Sequence, residues 1–237
     1  ILLQQKQTAR YICTKLYRFF VNDKVNDLHV SQLAEVFYKS DYDIETVLRA
    51  IFTAEWFYDK RNIGALIKPP IDFLVGVFQL LEIKELPNDE LVTKLQKALG
   101  QVLLAPPNVA GWGGGQEWIL SSTLMLRMNL TGYLIQAALS EGNERGQGKR
   151  GKRKRFTKVK SMQLLKNQKI EFTMQQLRKD LVGLSVLEQA NILADYLFQV
   201  PIDKKFLLNG VSELSNPNSQ LLKVVENALS LPEYQLF

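Results

Sequence analysis

The chain has 237 residues, 46% of them hydrophobic and 10% aromatic, which suffices for one large core or two small ones and excludes wholesale disorder. One cysteine, Cys13, and one histidine, His29, exclude an intrachain disulfide, a multi-cysteine metal site and a two-histidine mechanism built from this chain alone, so no metal and no cofactor is expected. The formal charge of +6 is unevenly held: nine basic residues and one acid fall between Gly142 and Lys160, and the remainder is slightly acidic.

Residue 1 is Ile, and no charged, apolar and small-residue leader pattern follows it. The chain therefore reads as a fragment, a processed product or a trimmed piece. From Thr8 to Val21 the spacing of Ile12, Leu16 and Phe19 predicts an amphipathic helix, with Arg10, Thr14 and Arg18 on its other side. His29 is expected as a surface or capping residue. Leu33, Val36 and Phe37 predict a second, short helix, and Ile44, Val47, Leu48, Ile51 and Phe52 a third, capped by Asp43. Pro69 and Pro70 reset the chain, and the stretch from Ile71 to Ile83 is apolar almost all round, as expected of a buried helix.

Asn88 is the expected N-cap of a helix through Leu91, Leu95 and Leu99, which ends before Pro106 and Pro107. After a glycine cluster, the run from Trp118 to Leu139 is the longest apolar stretch. Thr173 with Gln176 and Ser185 with Glu188 have capping-box spacing, and Asn216 before Pro217 opens a last helix reaching about Leu231. No sustained period-two alternation marks strands. The expected fold is all-α, an irregular array of roughly 9 to 12 helices around a long central apolar helix. Three regions are expected: a helical core over 1–141, a basic linker over 142–160, and a C-terminal helical region over 161–237 packing on the first.

The glycine cluster Gly111, Gly113, Gly114 and Gly115 does not fit a dinucleotide fingerprint, because a helix and two prolines precede it where a strand is required. The stretch from Gly146 to Arg153 matches a phosphate-binding loop up to Lys152, then places Arg153 where a hydroxyl must reach magnesium. The glycines instead allow a tight turn beside bulky indoles, with Asn108 bonding its own backbone. Two readings of Asn108, Trp112, Trp118, Arg127 and Asn129 stay open: a binding loop in which the indoles form a platform for a sugar ring or peptide, or packing anchors that bury large area. A membrane span is not expected over 118–139, because Arg127 at mid-helix would cost about 2.5–3.5 kcal/mol. In a core helix Arg127 requires a buried partner, a carboxylate or helix-end carbonyls.

In the basic segment, Lys149, Arg150, Lys152, Arg153, Lys154 and Arg155 form the candidate anion-binding set, able to attract nucleic acid, acidic headgroups or anionic polysaccharide. Phe156 is the segment's one aromatic residue, so specific nucleic-acid recognition by base stacking is not expected. No nucleophile lies beside a base in the sequence, and the catalytic residues are unknown. Whether the protein is an enzyme stays open.

The stretches TARYICTKLYRFFV (8–21), IETVLRAIFTAEWF (44–57), IKPPIDFLVG (67–76), APPNVAGWGGGQEWILSSTLMLRMN (105–129) and the closing LPEYQLF resemble, in that order, the C-terminal half of the DUF1800 family, a bacterial domain of unknown function. The proline-asparagine-glycine-tryptophan loop is the specific part. The resemblance implies a predominantly helical, often exported protein, periplasmic or extracellular, frequently encoded beside another exported family resembling sulfatases and phosphatases. It further implies an N-terminal half, with a histidine-containing helical motif, that has no counterpart here. The function expected is an interaction or structural module supporting another exported protein or an anionic cell-envelope polymer. The alternative is part of an enzyme acting on carbohydrate or another envelope component.

Overall fold

In the computed structural model the first helix, α1 (Lys6–Phe20), buries Ala9, Cys13 and Tyr17, one residue per turn along a single stripe. That stripe is rotated by about one residue from the one expected: Ile12 and Leu16 flank it, and Phe19 is exposed. Small side chains at Ala9 and Cys13 let the neighbouring helix approach closely, and the larger residues then fill the edges. The structure describes residues 1–85, 89–139 and 170–237. Asn88 and the segment 142–160 therefore lie outside the described residues.

Among the described residues the fold is all-α, with nine α-helices and short 3-10 turns. They fall into two compact units, the first comprising 1–67 with 236–237 and the second 68–235. Helices from before 139 and from after 170 together fill the core of the second unit.

In the first unit, α1 packs along α2 (Asp27–Lys39), and α2 along α3 (Ile44–Phe52). The second helix is longer than its apolar pattern suggested, because Asn26 caps it through the amides of Leu28 and His29. Asp41 and Tyr42 take left-handed conformations that reverse the chain, and Asp43 then accepts from the Thr46 amide to start α3, as its position predicted. The core is Cys13, Tyr17, Val30, Leu33, Phe37, Val47 and Ile51 with a surround of aromatic rings. The final residues return to this unit, where Leu66 and Phe237 exchange backbone hydrogen bonds of 3.3 and 3.0 Å.

The second unit is built from α4 (Pro70–Leu81), α5 (Asp89–Leu99), α6 (Ser121–Leu139), α7 (Gln175–Leu181), α8 (Val186–Leu197) and α9 (Pro217–Leu229). Its core is aliphatic, dominated by leucines from every one of these helices. α4 buries one face, Phe73, Leu74, Val77 and Leu81, while Val75 and Gln79 are exposed, so its all-round apolarity does not translate into complete burial. Gly76 gives that helix a close approach to Tyr234: a Cβ there would lie 3.1 Å from its hydroxyl, which would have to shift by a few tenths of an ångström.

The caps of Ser185 with Glu188 on α8 and of Asn216 on α9 form as their spacing predicted. The predicted Thr173–Gln176 box does not. Glu82, in the left-handed region at the end of α4, accepts instead from the Gln175 and Gln176 amides at 2.9 and 2.7 Å and from the Thr173 hydroxyl. A carboxylate from a distant helix thus serves as the N-terminal cap of α7, where it also meets the positive end of the helix dipole. Those hydrogen bonds hold the Glu82 carboxyl below its usual pKa.

Candidate functional site

The loop that enters α6 is built from its turn residues. Asn108 accepts from the Ala110 amide at 2.8 Å, and Gly111 (φ 91) and Gly115 (φ 55) occupy the left-handed region that glycine enters without strain. A 3-10 turn, Gly115–Ile119, follows, so α6 starts at Ser121 rather than at Trp118. Thr123 closes the junction by donating to the carbonyls of Trp118 and Leu120. The expected site residues differ in burial. Asn108 is exposed, Trp112 is half-buried, Trp118 is 8% exposed, and Arg127 is fully buried. Asn129 donates to the Met125 carbonyl on its own helix. The six basic residues from Lys149 to Arg155 lie outside the described residues.

Arg127 has gathered a set of partners that spacing along the chain did not reveal. Its Nη1 donates to the Lys68 carbonyl at 2.9 Å and to the Gln235 side-chain oxygen at 3.2 Å. Its guanidinium carbon lies 5.2 Å from the centre of the Phe73 ring. Lys68, in turn, places its ammonium 3.7 Å over the ring of Tyr234, a distance suited to a cation–π contact. Among the described residues neither cation forms an ion pair with an acid. Desolvation has consequences for both: burial lowers Lys68 to about 8 and Arg127 to about 10, and pushes the Tyr234 phenol up to about 12. The sequence signalled Arg127 by placing a charge inside an apolar run. It offered no comparable signal for Lys68, Gln235 or Tyr234.

A second constellation lies in the first unit. His29 is not a simple surface residue: its ring stacks on Trp56 with centroids 4.3 Å apart and planes 16° apart, and Nδ1 is 3.5 Å from the Tyr17 hydroxyl. Burial lowers its pKa, the nearby Arg61 lowers it further, and Asp59 opposes them. Trp56, in the 3-10 turn Glu55–Tyr58, thus anchors the only histidine of the sequence.

The same unit carries a cavity of about 570 Å³ between α1 and α2. Lys6 and Arg10 line it from successive turns of α1, and Ser31, Glu35 and Lys39 from successive turns of α2, because residues four apart share a helix face. Ala34 and Tyr38 supply apolar surface and a ring. Arg10 is oriented by Ser31 at 2.6 Å and Asp27 at 2.8 Å, while Lys39 holds Glu35 at 2.7 Å and keeps its carboxyl below its ordinary pKa. Among the described residues Lys6 makes no ion pair, so the three cations of the lining exceed their two carboxylate partners, Asp27 and Glu35, by one charge. The volume is in the range of small-molecule sites.

Among the described residues no group of three or more His, Cys, Asp or Glu side chains is placed to hold a metal ion, and no helix is long and apolar enough to cross a membrane. No curated protein and no solved structure matches the chain. The family described as "Protein of unknown function (DUF1800)" matches residues 1–236. With that match spanning essentially its whole length, and with the all-α fold in place, this chain belongs to the DUF1800 family.

Proposed function

We propose that this chain is an interaction module of an exported bacterial protein, and that it engages an acidic polymer of the cell envelope through the groove between α1 and α2. The observation that carries this reading is the groove itself: a cavity of about 570 Å³ lined by Lys6, Arg10 and Lys39, with Arg10 paired to Asp27, Lys39 paired to Glu35, Lys6 left without an ion pair among the described residues, and the Tyr38 ring alongside. Cations on two helices suit the carboxylates or phosphates of such a polymer, and an aromatic ring suits the apolar face of a sugar. The basic stretch from Lys149 to Arg155 adds long-range attraction without specifying the ligand. The enzyme alternative would have Asn108, Trp112, Trp118 and Arg127 line one side of a cleft. Trp118 and Arg127 are packed inside while Asn108 is exposed, which favours the binding reading.

Titration of the full chain with a uronate polymer such as polygalacturonate, with neutral dextran as the control, tests this. Lys6→Glu should weaken uronate binding by about tenfold, and Tyr38→Ala should weaken it further, with dextran not bound. Unchanged affinity in both variants, together with loss on reversing Lys149, Arg150 and Lys152, would assign the attraction to the basic segment and overturn the groove reading.

A further inference from the structure

We infer that the unpaired edge of the Arg127 guanidinium is the seat of a small oxyanion, a carboxylate or phosphate group, enclosed in the core of the second unit. Arg127 is fully buried, and among the described residues only its Nη1 is hydrogen-bonded, with no partner for Nε or Nη2. Those two nitrogens lie on one edge of the planar guanidinium and point their hydrogens the same way. That edge is the fork that grips a carboxylate or phosphate through two parallel hydrogen bonds.

Two neighbouring polar groups are also without a partner among the described residues. A guanidinium can only donate, so Gln235 must turn its amide oxygen toward Nη1, and this commits its Nε2 to donate elsewhere. Among the described residues that nitrogen is buried and also unpartnered, and so is the hydroxyl of Thr131, one turn along α6 from Arg127. The Lys68 carbonyl accepts from Arg127, while its ammonium lies over the Tyr234 ring. Three buried nitrogen donors without a partner, two of them on a buried guanidinium that forms no ion pair among the described residues, call for an acceptor that carries negative charge. A neutral acceptor would satisfy hydrogen bonds but leave the charge uncompensated in a low-dielectric interior. A halide lacks the paired oxygens that match the fork. Because Arg127 and Thr131 are fully buried and Gln235 is 2% exposed, the ligand is a small free oxyanion, not a polymer. This site is independent of the groove proposed above, since none of its residues lines that groove.

The test compares thermal unfolding of the full chain after refolding from urea in chloride, formate, acetate or phosphate at equal ionic strength. Formate or acetate should raise the midpoint over chloride by on the order of 5 °C at a hundredfold excess over Kd if the ligand is a carboxylate, and phosphate should do so if it is a phosphate. Arg127→Gln should abolish the difference. Gln235→Glu places a carboxylate beside the guanidinium covalently, and should raise the midpoint in chloride and remove the response to added anion. Equal midpoints for the native chain in all four salts, together with a Gln235→Glu variant less stable than the native chain in chloride, would overturn the proposal.

Discussion

Both units pair basic side chains with acids at the surface, as Lys94 does with Glu90 and Lys205 with Asp203 in the second, but the second also buries a cation in its core. In the first, basic side chains sit at the surface against acids: Arg10 with Asp27, Lys39 with Glu35, Arg49 with Glu45 and Arg61 with Asp59. Its core is aromatic and carries the one thiol, Cys13, whose pKa burial raises to about 11. The second unit has an aliphatic core into which Arg127 is fully inserted, held by a carbonyl, an amide and an aromatic ring. Identical chemistry therefore has different energetic weight. An exposed ion pair contributes little because water screens it, whereas a buried guanidinium incurs desolvation that its neighbours must offset.

The largest effect that should sharpen this contrast comes from Phe73, which is buried in the second unit and lies beside the Arg127 guanidinium. Phe73→Ala should lower stability by about 3–5 kcal/mol in urea titrations, from cavity formation and the lost cation–π contact. A loss below 1 kcal/mol would show that this core collapses around the gap and that the ring does not support Arg127.

Next in size is the response to alkaline pH. Lys68 titrates at about 8 in the folded chain against an ordinary 10.5, so between these values the unfolded chain binds more protons than the folded one. Stability should therefore rise with pH across that window, because the cost of burying the ammonium is present below it and relieved above it. For a partly buried lysine the gain is on the order of 1–2 kcal/mol after allowance for screening. Lys68→Met should flatten the profile, and an identical slope in native chain and variant would remove Lys68 from the account.

The smallest effects test the first unit's surface against its helix ends. Asp43→Ala should cost about 1 kcal/mol by exposing the first turn of α3, whereas Glu45→Ala, which breaks an exposed pair with Arg49, should cost less than about 0.5 kcal/mol. The two variants lie two residues apart, so equal losses would contradict the distinction between a cap and a screened ion pair.

Local signals made most of the helices legible. Asp43, Ser185 with Glu188, and Asn216 before Pro217 each satisfy amides within three residues of themselves, so their roles can be read from spacing. The Thr173–Gln176 spacing failed because Glu82, 93 residues from Gln175, supplies a charged acceptor to the same amides. The face of α1 was misplaced for a related reason: apolar periodicity marks every hydrophobic residue alike, but packing selected the stripe of Ala9, Cys13 and Tyr17.

For the candidate sites the balance shifts further toward tertiary structure. A lone charge within an apolar run identified Arg127 as a buried residue in need of a partner, and the turn chemistry of Asn108 and Gly111 was evident from residue type. The partners were not, since Lys68 and Gln235 lie 59 and 108 residues from Arg127. The sequence by itself determined the all-α class, the caps, the turn before α6 and membership of the DUF1800 family, because these depend on interactions within a few residues or on the order of motifs. Only the tertiary structure decided which helix faces are buried, which cations share the α1–α2 groove, and which edge of Arg127 remains unpaired. Those outcomes depend on which distant groups packing brings within hydrogen-bond reach, and on how completely it removes them from water.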